Sequence, residues 1–352
     1  MKIRLMVLGI VLAFSAQAFA QGDAKALEIV KKARAVVGKE DKIKGLQNVV
    51  AEGTFKQSMG QRNMEGALEI TMAMPDKIYR SITRSFGPME MTTIEVLNGS
   101  TSWSDFTSSQ PMPGGAGGGM MRGGMGGVLS PEQQDRNRRN DLARVMLGWF
   151  LLAPTGLNAE YTYVGEAKAP DGTADIIGVK TADGLVAKLY IDQQSHQLLQ
   201  LAYKDKDPSA MFRGGGPGGG QGGGRPGGAQ GAQPGQGGGG QAGQGGQGGQ
   251  RGPGGMSTEE FNKLPQAEKD KIQAEQKARN EARMVEAKAA YEKAPEVDFQ
   301  WSFSEYKEFN GLNLPTVLTK AVGGNPNEEW VISKFKFNEK KVTADKFEKK
   351  SK

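Results

Sequence analysis

The sequence predicts a mainly β protein in which helices cover one side of an antiparallel sheet. Apolar residues recur at every second position in many segments between residues 46 and 337, as expected for half-buried strands. Turn signals separate most of these segments, and short connections of this kind join neighbouring antiparallel strands. Helical patterns are confined to segments near residues 30, 140 and 280.

The first predicted element is an amphipathic helix at Ala24–Val37. Its apolar residues at helical spacing are Leu27, Val30, Ala33 and Val37. Lysines and Arg34 occupy the other side, and Gly38 follows as a stop signal. We expect this helix to lay its apolar face on the sheet.

From Leu46 the apolar period changes from helical spacing to two, which predicts a meander of strands. One face of the first strand carries Val49, Ala51, Gly53 and Phe55, and one face of the second carries Gly66, Leu68, Ile70, Met72 and Met74. The turn "MPDK" leads to a third strand at 78–86 and a further turn to a fourth at 89–97. Asn98 and Gly99 then form a hairpin signal before "STSWSDF".

A second helix is predicted after Ser130 and Pro131, which cap a helix in the favoured order. Its apolar stripe consists of Leu142, Val145, Met146, Trp149 and Leu152. The stripe becomes nearly all-round apolar in "LGWFLLAP", so this helix at 130–153 is expected to be well buried.

Strand patterns resume at 161–167, 174–179 and in the hairpin "VAKLYIDQQSHQLLQLAY". The polar residues between Asp192 and His196 form the loop of that hairpin. His196 is the only histidine of the chain. A loop histidine faces solvent, and no nucleophile motif accompanies this one.

Two glycine-rich segments interrupt the pattern, at 107–129 and at 206–255. Their composition cannot bury enough apolar surface to offset chain entropy, so both are predicted to be disordered. A charged helical arm follows at 256–296, with Ser257 and Glu260 as a capping box and Pro265 opening a second segment. Its few apolar residues predict an exposed helix, and strands return at 297–352.

The N-terminus predicts export. Lys2 and Arg4 precede a short apolar run, and Ala18-Phe19-Ala20 supplies small residues for cleavage after Ala20, so 1–20 reads as a signal peptide. No second apolar segment of spanning length follows, which predicts no integral membrane segment after cleavage. The absence of cysteine excludes disulfides and a lipid-modified N-terminal cysteine, so we expect a soluble exported protein.

The residues give little support to catalysis or metal binding. One histidine and no cysteine leave only carboxylates, and Asp171, Asp175 and Asp183 are spaced like turn and strand-surface residues rather than like a calcium loop. A glycosidase carboxylate pair need not be adjacent in sequence, but solvated acidic residues at strand ends are the interpretation we favour. We predict no enzyme, no catalytic residue, no cofactor and no metal.

The net charge of +6 is only a mild bias toward anionic surfaces in an exported protein. The arginine-glycine phrases at Arg122 and Arg213 lack interleaved aromatic residues for stacking on bases. We therefore expect no nucleic-acid partner. What remains is an apolar helix beside a long sheet, which either closes a dry core or leaves a cavity between them.

Several phrases together resemble the family of periplasmic outer-membrane lipoprotein-sorting carriers, the LolA-like proteins. The phrases are "KGLQNVVAEGTF", "GALEITMAMPDKIYRSI", "TTIEVLNGSTSW", "KLYIDQQSHQLLQL", "YKEFNGLNLPTVL" and "ISKFKFNEKKVTADKF". "MPDKIYR" matches the family's proline-containing turn, "NGSTSW" the hairpin before the helical lid, and "FNGLNLPTVL" the late strand with glycine and proline. His196 falls in a variable polar hairpin loop of the family, so it receives no role.

The resemblance implies an incomplete antiparallel β-barrel of about eleven strands covered by helices. Residues 21–205 would form its N-terminal and central part and 297–352 the strands that complete it. The implied function is a periplasmic carrier that holds acyl chains of a lipid or lipoprotein between the half-barrel and the helical lid. The candidate cavity lining is Phe55, Leu68, Ile70, Met72, Ile78, Ile82, Leu142, Val145, Met146, Trp149 and Leu152.

Two other functional classes stay open. A lipid-sensing regulator of envelope stress on the same fold would need an envelope protein partner, for which the charged arm is a candidate surface. A structural envelope protein would have a filled barrel. An open apolar volume under the helix favours binding, and a packed one favours the structural role.

Overall fold

The computed structural model describes residues 23–59, 62–86, 89–109, 129–152, 158–170, 172–182, 184–207, 210 and 258–349. The predicted signal peptide and most of both predicted glycine-rich segments lie outside these residues. So does Ser257 of the predicted capping box.

The described residues contain five α-helices and a 3-10 helix. The α-helices are α1 (Ala24–Val37), α2 (Glu40–Lys44), α3 (Pro131–Phe150), α4 (Thr258–Lys263) and α5 (Gln266–Glu292), and the 3-10 helix is Ala344–Phe347. α2 has five residues, too few to show a period in the sequence, and was not predicted.

Twelve antiparallel strands form one sheet. In chain order they are β1 (Asn48–Met59), β2 (Arg62–Ala73), β3 (Lys77–Phe86), β4 (Met89–Asn98), β5 (Thr101–Ser108), β6 (Ala159–Ala169), β7 (Gly172–Thr181), β8 (Val186–Asp192), β9 (Leu198–Lys206), β10 (Glu296–Phe309), β11 (Leu312–Val322) and β12 (Asn325–Phe337). The mainly β class with covering helices is confirmed.

The sheet runs β5-β4-β3-β2-β1-β12-β11-β10-β9-β8-β7-β6, so β1 pairs with β12 and every other pair joins strands that follow one another in the chain. The two outer strands, β5 and β6, do not pair with each other, and the barrel is open as predicted. The count is twelve rather than about eleven. Each of the twelve matches a segment that the sequence marked as a strand by a period of two or by neighbouring turn signals, so the residue patterns were a better guide to the number than the resemblance.

The core lies on one face of this sheet, which follows from the alternation of side chains along each strand. In β8, for example, Ala187, Leu189 and Ile191 are buried while Val186 and Lys188 are exposed. α1 and α3 pack on the buried face, and together they close most of the core from solvent.

α1 has the predicted bounds and is capped by Asp23, whose side chain accepts from the N–H of Lys25. Its buried residues are Ala26, Ile29, Val30, Ala33 and Val37. The assignment of Leu27 to the apolar face was wrong, because its side chain is 46% exposed. The true face is centred one residue earlier and contains Ala26 and Ile29, which complete the helical spacing.

α3 begins as predicted, at Pro131 after the N-cap Ser130. Ser130 accepts from the N–H of Gln133, and the Gln133 side chain accepts from the N–H of Ser130, so a full capping box is present. α3 ends at Phe150, and Leu151 takes a left-handed backbone conformation. Leu152, the last residue of the predicted apolar stripe, therefore lies beyond the end of the helix.

The predicted hairpin loop before β9 is confirmed. One carboxylate oxygen of Asp192 accepts from the N–H groups of Gln194 and Ser195 and from the Ser195 hydroxyl, at 3.1, 2.6 and 2.8 Å. His196 has a positive φ of 55°, a conformation typical of turns. His196 is thus one of the residues that form the turn.

The charged arm separates β9 and β10, which are neighbours in the sheet. Pro265 is the N-cap of α5, as the sequence predicted. Most of α5 is exposed, and its one buried residue is Ala287, against which Leu129, Met284 and Tyr291 pack. Near the C-terminal end of α5 the arm contacts the body, where the carbonyl of Glu292 accepts from Lys206 Nζ of β9.

At each outer edge of the sheet, an aspartate side chain accepts a hydrogen bond from a backbone N–H of the edge strand. The N–H of Ser102 in β5 donates to Asp135 Oδ1 of α3 at 2.6 Å. At β6 the N–H of Tyr163 donates to Asp23 Oδ2 at 3.1 Å, and the N–H of Asp23 donates to the carbonyl of Tyr161 at 3.0 Å.

Within the described part of the chain, no helix combines the length and the apolar character needed to cross a membrane.

Candidate functional site

The residues predicted to line a cavity come together in one apolar cluster between the sheet and α3. Nine of them are buried: Phe55, Leu68, Ile70, Met72, Ile78, Ile82, Leu142, Met146 and Trp149. Val145 and Leu152 are partly buried and pack against the cluster. The eleven thus form one contiguous surface, and their role as a ligand site stays a prediction.

Strand register places the sheet's share of this cluster. Leu68 lies directly opposite Ile82, and Met72 directly opposite Ile78, across the β2–β3 pair. Residues opposite each other in an antiparallel pair point to the same face. The first three strands therefore present a continuous apolar surface to the C-terminal half of α3.

α3 packs closely on this surface. The Trp149 ring meets Phe335 of β12 edge-on, with ring centroids 5.1 Å apart. A Cβ at Gly148 would lie 2.7 Å from the ring of Phe303 in β10, closer than real side chains approach. The helix and the sheet are in direct contact here.

Further aromatic residues of this cluster come from β10 and β12. They are Phe299, Trp301, Phe303, Trp330 and Phe335. The period-two pattern of these strands was visible in the sequence. Their position opposite α3 was not, because it depends on the pairing of the first strand with the last.

Trp149 carries an unusual feature for a packed core. Its side chain is 1% exposed, and its indole Nε1 has no hydrogen-bond acceptor among the described residues. A buried donor without an acceptor costs about 1–3 kcal/mol. The interface between α3 and the sheet therefore contains a buried hydrogen-bond donor that lacks an acceptor.

The N-terminal half of α3 is joined to the sheet by charges, which we call the α3 ion cluster: Arg80, Glu95, Arg138, Asp141 and Arg144. Arg80 Nε of β3 donates to Glu95 Oε2 of β4 at 2.8 Å, and Arg138 of α3 donates to the other oxygen of Glu95. Asp141 accepts from Arg144 at 3.0 Å and from Arg138 at 3.4 Å. Glu95 thus bridges the sheet and the helix.

These charges change the pKa of both carboxylates. Burial alone would raise the pKa of Glu95, but the adjacent Arg138 and Arg80 outweigh it and hold that pKa far below its ordinary value. For Asp141 burial is likewise outweighed, by Arg80, Arg144 and Arg138, and the pKa is lowered. Both groups stay ionised at neutral pH.

We expect the protein to lose stability in acid through this cluster. A carboxylate with a lowered folded-state pKa stabilises the fold above its unfolded pKa and loses that contribution as pH falls toward the folded value. The ordinary values are 4.5 for Glu95 and 3.8 for Asp141, so the free energy of unfolding should decline below pH 4.5.

Urea unfolding at a series of pH values measures this decline. The Glu95→Gln variant is the comparison, because it cannot lose a charge at this position and its decline should be shallower. Equal slopes for both proteins would show that Glu95 does not contribute.

The C-terminal end of α3 has its own tether. Arg34 of α1 donates from Nε and Nη2 to the carbonyl of Leu151, at 2.9 and 2.8 Å. That carbonyl ends the helix and carries the partial negative charge of its terminus. The sequence placed Arg34 on the polar side of α1 but offered no sign of this partner.

Two clefts open on the surface of the described residues, and neither contains any of the eleven predicted lining residues. One, of about 300 Å³, lies between α3, β9 and the end of α5. The other, of about 290 Å³, lies beside β1 and β12 and is bordered by Lys56, Glu65 and Glu328. Nine of the eleven residues are instead buried inside the fold.

The described residues contain no group of three or more histidine, cysteine, aspartate or glutamate side chains placed to hold a metal ion. His196 lies in its hairpin turn, away from the apolar cluster.

No family model matches the chain, and no curated protein matches it. Similar solved structures include a putative outer membrane lipoprotein-sorting protein domain from Vibrio parahaemolyticus, at 8% identity, covering 92% of this chain and 96% of that chain with a TM-score of 0.39. A DUF1329 family protein from Desulfovibrio piger has 9% identity, 92% and 97% coverage and a TM-score of 0.40.

A LolA superfamily protein from Nitrosomonas europaea has 8% identity, 92% and 97% coverage and a TM-score of 0.39.

Proposed function

We propose that the protein is an exported, non-catalytic carrier that holds acyl chains of a lipid or lipoprotein between the open sheet and α3. The periplasm is its proposed compartment, on the strength of the signal peptide that the sequence predicts at 1–20.

The observation that carries the proposal is the unpaired indole Nε1 of Trp149 in the middle of the α3–sheet interface. A core selected only for packing gains nothing from a buried donor without an acceptor. The ester or amide carbonyl of an acylated ligand is an acceptor of the required kind. The surrounding surface, with Met72 and Met146, suits acyl chains because methionine adapts to irregular apolar shapes.

The contacts of α3 suggest how the site would open. The α3 ion cluster holds its N-terminal half, and Arg34 holds the carbonyl of Leu151 at its other end. Loading would move the apolar face of α3 from the sheet and insert the acyl chain in its place. Each buried methylene contributes about 0.8 kcal/mol, so a long chain can offset the lost contacts.

Native mass spectrometry of the gently extracted protein is the first test, and co-purified lipid is the expected result. Tryptophan fluorescence on addition of a fatty acid then tests the position of the site. Wild-type protein should show a blue shift or quenching that is reduced in Trp149→Phe, which keeps Trp301 and Trp330 of the same cluster.

Trp103→Phe is the matched control, because Trp103 donates to the carbonyl of Phe347 in another part of the fold. It should leave the fatty-acid response intact. If no lipid co-purifies and no spectrum changes at saturating fatty acid, the carrier function is wrong.

A structural role is the second candidate. The close approach of Gly148 to Phe303 favours it, because the helix and the sheet already fill the space between them. In that case the same fluorescence experiment would give identical spectra with and without lipid.

A further inference from the structure

A second site is indicated by the cleft between α3, β9 and α5. Gln133, Arg136, Asn140 and Arg144 follow one another at helical spacing of three or four, so they share one side of the helix. The buried apolar residues Leu142, Met146 and Trp149 lie on another side. The cleft and the apolar cluster meet at Leu185, which belongs to both, but the polar residues of the cleft are not part of the cluster.

The walls of the cleft are built by three parts of the fold. α3 supplies one wall, and Lys204, Asp205 and Lys206 at the end of β9 supply a second. Tyr291 at the end of α5 supplies a third. Tyr291 packs on the small apolar cluster around Ala287, so the docked end of the charged arm completes the cleft.

Two buried polar atoms in this lining lack partners among the described residues. Asn140 is 9% exposed, and its side-chain oxygen accepts no hydrogen bond. Arg144 has an 11% exposed side chain, and its Nε donates none, although its Nη atoms reach Asp141 and Asp205. Groups of this kind are nearly always satisfied in folded proteins, so each calls for a partner. Each of these two lining residues therefore has one buried side-chain atom without a partner beside the cleft.

The charges of the lining residues indicate which kind of ligand the cleft would bind. Four basic side chains line the cleft, Arg136, Arg144, Lys204 and Lys206, against the two acidic side chains Asp205 and Glu296. Asp205 is already 3.7 Å from Arg144. The excess of positive charge favours an anion, and arginine and lysine together favour phosphate.

We propose that this cleft binds a small phosphate ester that also carries a hydroxyl group, with the hydroxyl donating to Asn140 and the phosphate lying against Arg144, Arg136 and Lys204. The volume of about 300 Å³ fits such a molecule. A free polyol phosphate and the glycerophosphate headgroup of a membrane lipid share this chemistry.

Calorimetric titration of the mature full-length protein tests the ligand class. The probes are glycerol 3-phosphate, glycerophosphoglycerol and glycerate, the last of which replaces the phosphate by a carboxylate. At least one phosphate ester should bind, and glycerate should bind at least about tenfold more weakly. Equal binding of glycerate, or no binding of either ester, overturns the proposal.

Vesicle flotation distinguishes the two sources. If the lipid headgroup is the ligand, the protein should float with phosphatidylglycerol vesicles and not with phosphatidylcholine vesicles, and Asn140→Leu should abolish flotation. If the free ester is the ligand, glycerol 3-phosphate should bind in calorimetry without flotation. If Asn140→Leu floats as well as the wild-type protein, another surface binds the vesicles. That result would contradict the headgroup as the ligand of this cleft.

Two pairs of variants test the residues. Asn140→Leu removes the unpaired oxygen at similar volume, so affinity should fall about tenfold or more while the thermal midpoint is kept or raised. Lys204→Gln should weaken binding and reduce its salt dependence. Lys188→Gln, an exposed change on neighbouring β8, should do neither.

Wild-type affinity in both Asn140→Leu and Lys204→Gln would overturn the proposal. Fatty-acid binding should be unchanged in Asn140→Leu, because Asn140 is not part of the apolar cluster. The phosphate site can therefore fail while the carrier function stands, and the reverse also holds.

Discussion

Trp149→Ala is expected to lower the free energy of unfolding by about 3–5 kcal/mol, the range for emptying a buried aromatic site. The side chain is 1% exposed and packs on Phe335 and Phe150. Little around it can collapse into the space, because Gly148 already holds the helix against Phe303. Urea unfolding of the ligand-free protein measures the loss.

Trp149→Phe is the control for this prediction. It keeps an aromatic ring in the core and removes the unpaired Nε1, so it should lose far less stability than alanine. A loss below about 1 kcal/mol in Trp149→Ala would contradict the close packing of α3. It would be the result expected of a helix that covers an open cavity in solution.

Glu95→Gln is expected to cost about 3 kcal/mol, the lower end of the range for removing one partner from a buried ion pair. The lower end applies because the Glu95 side chain keeps 22% of its exposure. The variant leaves Arg80 and Arg138 close together, with a neutral amide in place of the carboxylate that separates them. Chemical unfolding at neutral pH measures the loss.

Glu65→Gln is a matched change on β2. Glu65 lies 3.8 Å from Lys56, and its side chain is 68% exposed, so its removal should change stability by less than about 0.5 kcal/mol. If the two variants lose the same stability, Glu95 does not join α3 to the sheet as the structure describes.

Local patterns predicted most of the fold. A period of two or flanking turn signals identified the strands, and most strands have one face on the core. Ser130 and Pro265 marked the starts of α3 and α5, since capping preferences act over a few residues. The error at Leu27 arose because one apolar residue beside a helical stripe cannot be distinguished from its members by spacing alone.

The apolar part of the candidate site was predictable for the same reason, since its members are the buried sides of predicted elements. The ion cluster was not. Arg80, Glu95 and Asp141 come from β3, β4 and α3, and no local pattern shows which charges meet after the chain folds. The unpaired atoms of Trp149 and Asn140 likewise become visible only once every neighbour is placed.

The aspartates at the two edges of the sheet bear on self-association. An open sheet exposes N–H and C=O groups along its outer strands, and a second copy of the chain can use them to extend the sheet. At one edge Asp135 accepts from the N–H of Ser102. At the other edge the Asp23 carboxylate accepts from the N–H of Tyr163, and the Asp23 N–H donates to the carbonyl of Tyr161. Each carboxylate would repel the backbone carbonyls of an incoming strand. A sheet of twelve strands can thus remain open for a ligand without recruiting a thirteenth strand from its neighbour.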